Sequence, residues 1–148
     1  MSGSLTHSPA DILGQLLHDL GLGVIAPTTS NWPIFIANTP DSPDNLITLT
    51  DTTGKLQGRI MVSGEAVAFP GVQIKVRGVT HQVGWTKINA IAEAMDKNVK
   101  LSTVRIDSTT YTVTCVDRSG DIAKLGSESP TSKRKNFTLN LLVTVHQN

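Results

Sequence analysis

The closing segment of the chain limits its fold more than any other feature. Over residues 137–146, Phe137, Leu139, Leu141, Val143 and Val145 alternate with Thr138, Asn140, Leu142, Thr144 and His146. A repeat of two places the first five on one face of a strand. Ten such residues extend about 33 Å at the usual rise per residue, which is long for a chain of 148 residues. An apolar face of that length needs a covering layer, and its backbone needs partners. The strand therefore either runs centrally through a sheet or reaches toward a neighbouring molecule.

Two amphipathic helices are available as cover. Ser8 reads as an N-cap, Pro9 sits at the first helical position, and Asp11 lies near the positive end of the dipole. Ile12, Leu13, Leu16, Leu17 and Leu20 recur at helical spacing, and Gly21 ends the run as a C′ residue. This predicts a helix over 9–20. A second helix is predicted over 83–97, where Ile88, Ile91, Ala92 and Met95 fall at i, i+3, i+4 and i+7.

Strands fill most of the remainder. Residues 32–36 read as a short strand, placed at a sheet edge because Pro33 lacks an N–H donor. Residues 46–50 and 59–63 are further strands, separated by a turn at 51–54 and followed by a loop at 64–71. Val72, Ile74 and Val76 alternate with Gln73, Lys75 and Arg77, a half-buried strand that Gly78 stops. Residues 104–106 and 111–116 form a hairpin through 107–110. The 18 Thr residues suit strands by β-branching. The order predicts one α+β domain over 1–148, with two main helices packed on a mostly antiparallel mixed sheet. Residues 1–7 and parts of 38–58 and 117–135 read as flexible, the last being long for a loop in a compact domain.

Composition narrows the function. Thirteen Lys and Arg stand against twelve Asp and Glu, a net charge of +1, which lacks the basic excess of a general nucleic-acid binder. No run approaches the length of a membrane span, and the first residues lack the basic and apolar regions of a secretory signal. The single cysteine, Cys115, leaves no internal disulfide and fits folding in a reducing cytoplasm. The charge is nevertheless divided along the chain. Residues 1–54 carry five acids and no Lys or Arg, whereas 55–148 carry seven acids and all thirteen basic residues, giving −5 and +6. Such a division can organise contacts between copies, or it can vanish when the chain folds.

The motifs of catalysis are missing. There is no HExxH, GxSxG, Walker A or EF-hand loop. Gly21-Leu22-Gly23-Val24-Ile25-Ala26 matches GxGxxA, but it follows a helix instead of a strand and runs into Pro27. His7, His18, His81 and His146 have no metal-ligand spacing. Cys115 fits a strand as a small buried side chain. No catalytic residue, metal ligand or cofactor site is expected.

The run Phe69-Pro70-Gly71-Val72-Gln73-Ile74-Lys75-Val76-Arg77-Gly78 leads into the second helix, then the hairpin, a polar loop and Lys135-Asn136-Phe137-Thr138-Leu139-Asn140. This order resembles the tail terminator proteins of long-tailed bacteriophages, often called minor capsid proteins. Arg134, Phe137 and Asn140 fit the family's closing-strand pattern, and the 9–20 helix fits loosely. His81-Gln82 departs from the family after the strand. The resemblance implies a structural virion protein without an active site. It implies a ring, a hexamer by analogy, that caps the tail tube, ends its polymerisation and meets a neck or head-completion protein. It also implies assembly in the host cytoplasm, a place in the virion tail, and a lumen through which DNA passes without specific binding.

Two contact sets follow as expectations. Asp41, Asp44 and Asp51 would meet Arg59, Lys133, Arg134 or Lys135 of a neighbour, so reversing Asp41 and Asp44 to Lys should weaken assembly. Trp32 and Phe69, each an aromatic beside a proline, would anchor a partner or cover the core. A related head–tail joining or tail-completion subunit fits the same pattern. A small nucleic-acid-binding module built on Lys133-Arg134-Lys135 with Lys75 and Arg77 is the reading from a different class.

Overall fold

The computed structural model describes residues 5–25, 32–40, 44–59, 66–127 and 134–147, without the side chains of 55–59, 66–68 and 125–127. The helix α1 spans Pro9–Asp19. Ser8 Oγ accepts from the Asp11 N–H at 3.3 Å, which satisfies one orphan donor of the first turn. Leu22 N donates to Leu17 O at 3.0 Å and Gly21 N to His18 O at 3.1 Å, with Gly21 at φ +77°. This pair of bonds is a Schellman ending, and the left-handed residue is the glycine that the conformation favours.

The short strands β1 (Val24–Ile25) and β2 (Pro33–Ile36) come next, followed by β3 (Leu46–Arg59) and β4 (Ala66–Gly78). The helix α2 (His81–Lys97) is capped by Thr80, whose side chain accepts from Val83 N. Then come β5 (Ser102–Ile106), β6 (Thr109–Arg118), β7 (Ala123–Ser127) and β8 (Lys135–Gln147). The described strands form one sheet in the order β1-β2-β3-β4-β8-β6-β5, with β7 also paired to β8. The β1–β2 and β2–β3 pairings are parallel, and the rest are antiparallel. The fold is thus α+β, as the patterning implies.

The closing strand β8 is central. It pairs with β4 along one edge, and with β7 and then β6 along the other. Its residues Phe137, Leu139, Leu141 and Val143 join Val72, Ile74 and Val76 of β4 in the core. Helix α1 adds Ala10, Ile12, Leu13, Leu16 and Leu17, and α2 adds Ile88, Ile91, Ala92 and Met95. Helix α1 packs on β1 to β5, and α2 packs on β4, β6 and β8. Because α1 touches both β1–β2 and β5, the sheet curls until its two ends approach each other across that helix.

Four sequence expectations change. The Pro33 strand is not the outermost, since β1 flanks it, pairing only with Pro33 and Ile34 among the described residues. The turn at 51–54 is a register shift inside β3, between Thr52 and Lys55. A Cβ on Gly54 would collide with the Phe69 carbonyl, and one on Gly71 with Thr52 Oγ1, so both glycines permit a close approach of the two strands at this bulge. The loop at 64–71 is, over its described residues, the first part of β4. The polar stretch 117–135 contains β7, laid along the start of β8.

Candidate functional site

The predicted acidic and basic sets meet, but inside one chain. Arg134 donates to Asp44 Oδ1 from Nε at 2.8 Å and approaches it from Nη2 at 2.6 Å. Arg77, only 2% exposed, donates from Nε to the Asp44 carbonyl at 3.2 Å. Asn45 Oδ1 accepts from Val79 N at 2.8 Å. The chain entering β3 is therefore fastened to the end of β4 and the start of β8. Reversing Asp44 would first break this internal bridge, so that substitution does not isolate a contact with a neighbour. Asp51 has a second internal task, since its Oδ1 accepts from Ala10 N at 2.9 Å and so caps the first turn of α1. Lys135 is half-buried at the start of β8, opposite Gly78. Asp41, Lys133 and the side chain of Arg59 lie outside the described residues.

Trp32 lies at φ 58°, a left-handed conformation that is strained for a bulky residue. Two contacts hold it there. Its carbonyl accepts from Val24 N at 3.1 Å, and Lys87 Nζ stands 5.1 Å from its ring centroid. Lys87 Nζ also donates to Leu22 O at 2.8 Å. Trp32, Gln82, Val83, Thr86, Lys87 and Ala90 line a shallow hollow of about 400 Å³. Trp32 packs against the core from its rim. Burial lowers the Lys87 pKa from its ordinary 10.5. The unfolded chain then binds the extra proton between the folded value and 10.5, and stability rises with pH across that window. Lys87→Met should flatten this rise in denaturation curves measured from neutral pH to pH 10.5.

Near the start of α2, an aromatic group surrounds Phe137. His81 and Trp85 rings lie 5.5 Å and 6.0 Å from it, centroid to centroid. Trp85 is 41% exposed. Phe69, the other expected anchor, is half-buried on β4 and opposes Lys55. It belongs to a feature that sequence reasoning missed. Before Gly71, β4 has no β8 partner, and among the described residues Ala66–Phe69 pairs only with Lys55–Arg59. Over this stretch the two strands form a two-stranded arm.

A second missed feature is the seam where the sheet curls on itself. His7, Asp11, Gly14, Gln15, Ile25, Ile36, Ile106 and Asp107 line a groove of about 300 Å³ there. Its floor is apolar, from Ile25, Ile36 and Ile106, and carboxylates stand at its rim. Asp107 is 89% exposed at the side chain, with its Oδ2 3.8 Å from His7 Nε2. His7 N donates to Tyr111 Oη at 3.0 Å, and His7 Nδ1 lies 2.6 Å from the same oxygen. Since Tyr111 is fully buried, this pairing ties the start of the chain to β6. Among the described residues, no three His, Cys, Asp or Glu side chains gather as a metal site. No described helix is long and apolar enough to cross a membrane.

The arrangement offers strand edges, an arm and a groove, which are surfaces for association. Comparison with known proteins agrees with that character. Residues 16–132 match the family described as Bacteriophage tail terminator protein. No curated protein matches the chain.

Proposed function

The chain belongs to the bacteriophage tail terminator protein family, whose members are structural, non-enzymatic components of the virion tail that interact with the tail tube, and on that premise we propose that it closes into a ring on the end of the tube. The ring, a hexamer in this reading, stops tube polymerisation and offers its outer face to a neck or head-completion protein. The observation that carries the reading is the family match over residues 16–132. The geometry supports it, because the arm and the seam groove are two different surfaces of one subunit. Contacts between unlike surfaces run head to tail, and they close into a ring when the rotation permits. Assembly takes place in the bacterial cytoplasm, and the product is part of the tail or neck. DNA passes through the lumen without specific binding. A basic bore would hold phosphates through counterion release, so a neutral or acidic bore suits passage.

Contacts between subunits, in this reading, pair acidic residues of one copy with basic residues of the next. Asp44 and Asp51 are engaged within the chain, so of the three expected acids Asp41 is the one proposed to meet Arg59, Lys133 or Lys135 of a neighbour. Trp32 and Phe69, both half-buried, are the proposed anchors for a neighbour or axial partner. Native mass spectrometry over a range of salt and protein concentration, with and without purified tail tubes, tests the proposal. A closed ring, or a monomer that joins tube ends in fixed number, is expected, and it should weaken as salt rises. A monomer indifferent to tubes would refute it.

A further inference from the structure

We propose that the hollow between Trp32 and the first turns of α2 is a carboxylate-binding site, and that it takes an aspartate or glutamate side chain flanked by apolar residues on a partner protein. The cation at its centre is Lys87, which is half-buried. An ammonium carries three donors. One goes to the Leu22 carbonyl at 2.8 Å, and Nζ stands 5.1 Å from the Trp32 ring centroid. Neither contact brings a full negative charge. Among the described residues no carboxylate forms an ion pair with Lys87. The acids of α2 are engaged elsewhere, Glu93 at 3.7 Å from Lys97 and Asp96 at 2.8 Å from Arg118. The lowered Lys87 pKa reflects the same imbalance, because burial removes water and supplies no anion. An arriving carboxylate relieves it through a charge-assisted hydrogen bond.

The walls of the hollow suit the apolar flanks of such a residue. Trp32, Val83 and Ala90 are half-buried around it, and Gln82 and Thr86 are exposed at its lip. Gln82 Nε2 donates to Thr86 Oγ1 at 3.1 Å, which leaves the lip polar. The placement of the indole is itself built. Position 23 is glycine, where a Cβ would stand 2.8 Å from the Trp32 carbonyl, so that Val24 N can reach this carbonyl and hold Trp32 at φ 58°. Backbone strain of this kind gathers at ligand clamps. The segment between Ile25 and Trp32, Ala26-Pro27-Thr28-Thr29-Ser30-Asn31, contains no acid, so it cannot supply the counter-charge. A shallow hollow suits a side chain presented on a protein surface, whereas sites for free small molecules enclose most of their ligand. The proposal rests on the ring reading for the partner's place in the tail, and deepens it by naming the chemistry that the partner presents.

The test is an NMR titration of the full chain with two capped tripeptides, acetyl-Leu-Asp-Leu-amide and acetyl-Leu-Asn-Leu-amide. The acidic peptide is expected to shift the signals of the Trp32 indole and the Lys87 side chain saturably. It should bind about fivefold more tightly than its amide twin, the worth of one charge contact near the surface. It should also raise the Lys87 pKa, since a carboxylate beside it favours the ammonium. Lys87→Gln should bind the two peptides equally, and Lys87→Arg should keep the preference, which a lysine that merely fastens Leu22 would not produce. Equal affinity of the wild type for both peptides, shifts centred on another basic surface, or no saturable shift would overturn the site. Acetate binding as tightly as the acidic tripeptide, or contacts from residues 26–31 that fill the hollow in the free protein, would overturn the protein partner. Shifts at Trp32 that appear on ring formation without peptide would assign the hollow to a second copy and overturn it as well. Rings are read separately by native mass spectrometry. Rings without the peptide preference leave the ring reading standing and remove the site, and the preference without rings does the reverse.

Discussion

Phe137→Ala should lower the unfolding free energy by about 3–5 kcal/mol, the range for truncating a buried aromatic. Domains of this size hold only about 5–15 kcal/mol in total, so the loss consumes a large share of the stability. The site cannot collapse easily around the missing ring. Phe137 is 1% exposed and lies on the central strand β8. His81 and Trp85 lean on its ring from α2. The helix comes this close because position 84 is glycine, where a Cβ would stand 2.8 Å from the Phe137 ring. Position 78 is glycine for a related reason, since a Cβ there would strike the backbone of Gly84. Removing the ring leaves a cavity walled by a helix held at a fixed distance from β4. Urea denaturation should show a lower midpoint with an unchanged slope. Phe137→Leu, which keeps most of the volume, should lose less than half as much. Equal losses for the two variants would mean that the ring is not the docking point of α2.

The parts of the fold readable in the sequence are those whose determinants are local. Ser8, Pro9 and Gly21 mark the ends of α1 by capping chemistry that involves only adjacent residues. The alternation of Phe137, Leu139, Leu141, Val143 and Val145 fixes β8 and its buried face, because the period depends on nothing outside the strand. The β5–β6 hairpin reads equally well, with Ile106 facing Thr109 across a two-residue turn. The β3–β4 ribbon was hidden by its own breakers. Gly54, Pro70 and Gly71 carry the signature of turns, yet they serve a bulge where two long strands approach closely. The strand β7, Ala-Lys-Leu-Gly-Ser, has no alternation and exists because β8 offers it an edge.

The candidate surfaces were less legible, because distant parts of the chain build them. The charge division is visible in the sequence, but nothing local shows that Asp44 finds Arg134 ninety positions away within the same subunit. Trp32 beside Pro33 is visible as an aromatic at a strand junction, whereas its partner Lys87 becomes a neighbour only when α2 lies beside Leu22. The seam groove takes residues from the first turns of α1, from β1 and β2, and from the end of β5. It exists only because the sheet curls, and curl is a property of the assembled strands.

Removing the arm should separate folding from assembly. In the variant, residues 56–68 are replaced by Asn-Gly, so that Lys55 and Phe69, which already oppose each other, flank a two-residue turn. The stability of the monomer should change by less than about 1 kcal/mol, because among the described residues this ribbon pairs only with itself and such a ribbon adds little on its own. A shorter connection also reduces the entropy lost on closing the β3–β4 loop. Assembly should respond in the opposite way. Rings should disappear from native mass spectra at concentrations where the wild type forms them, and tail tubes grown with the variant should exceed their normal length. Tubes of normal length would show that termination needs no arm. An unfolded variant would show instead that the arm belongs to the core of its own subunit. The contrast between an intact monomer and unbounded tubes is the outcome that the open-edged arm predicts.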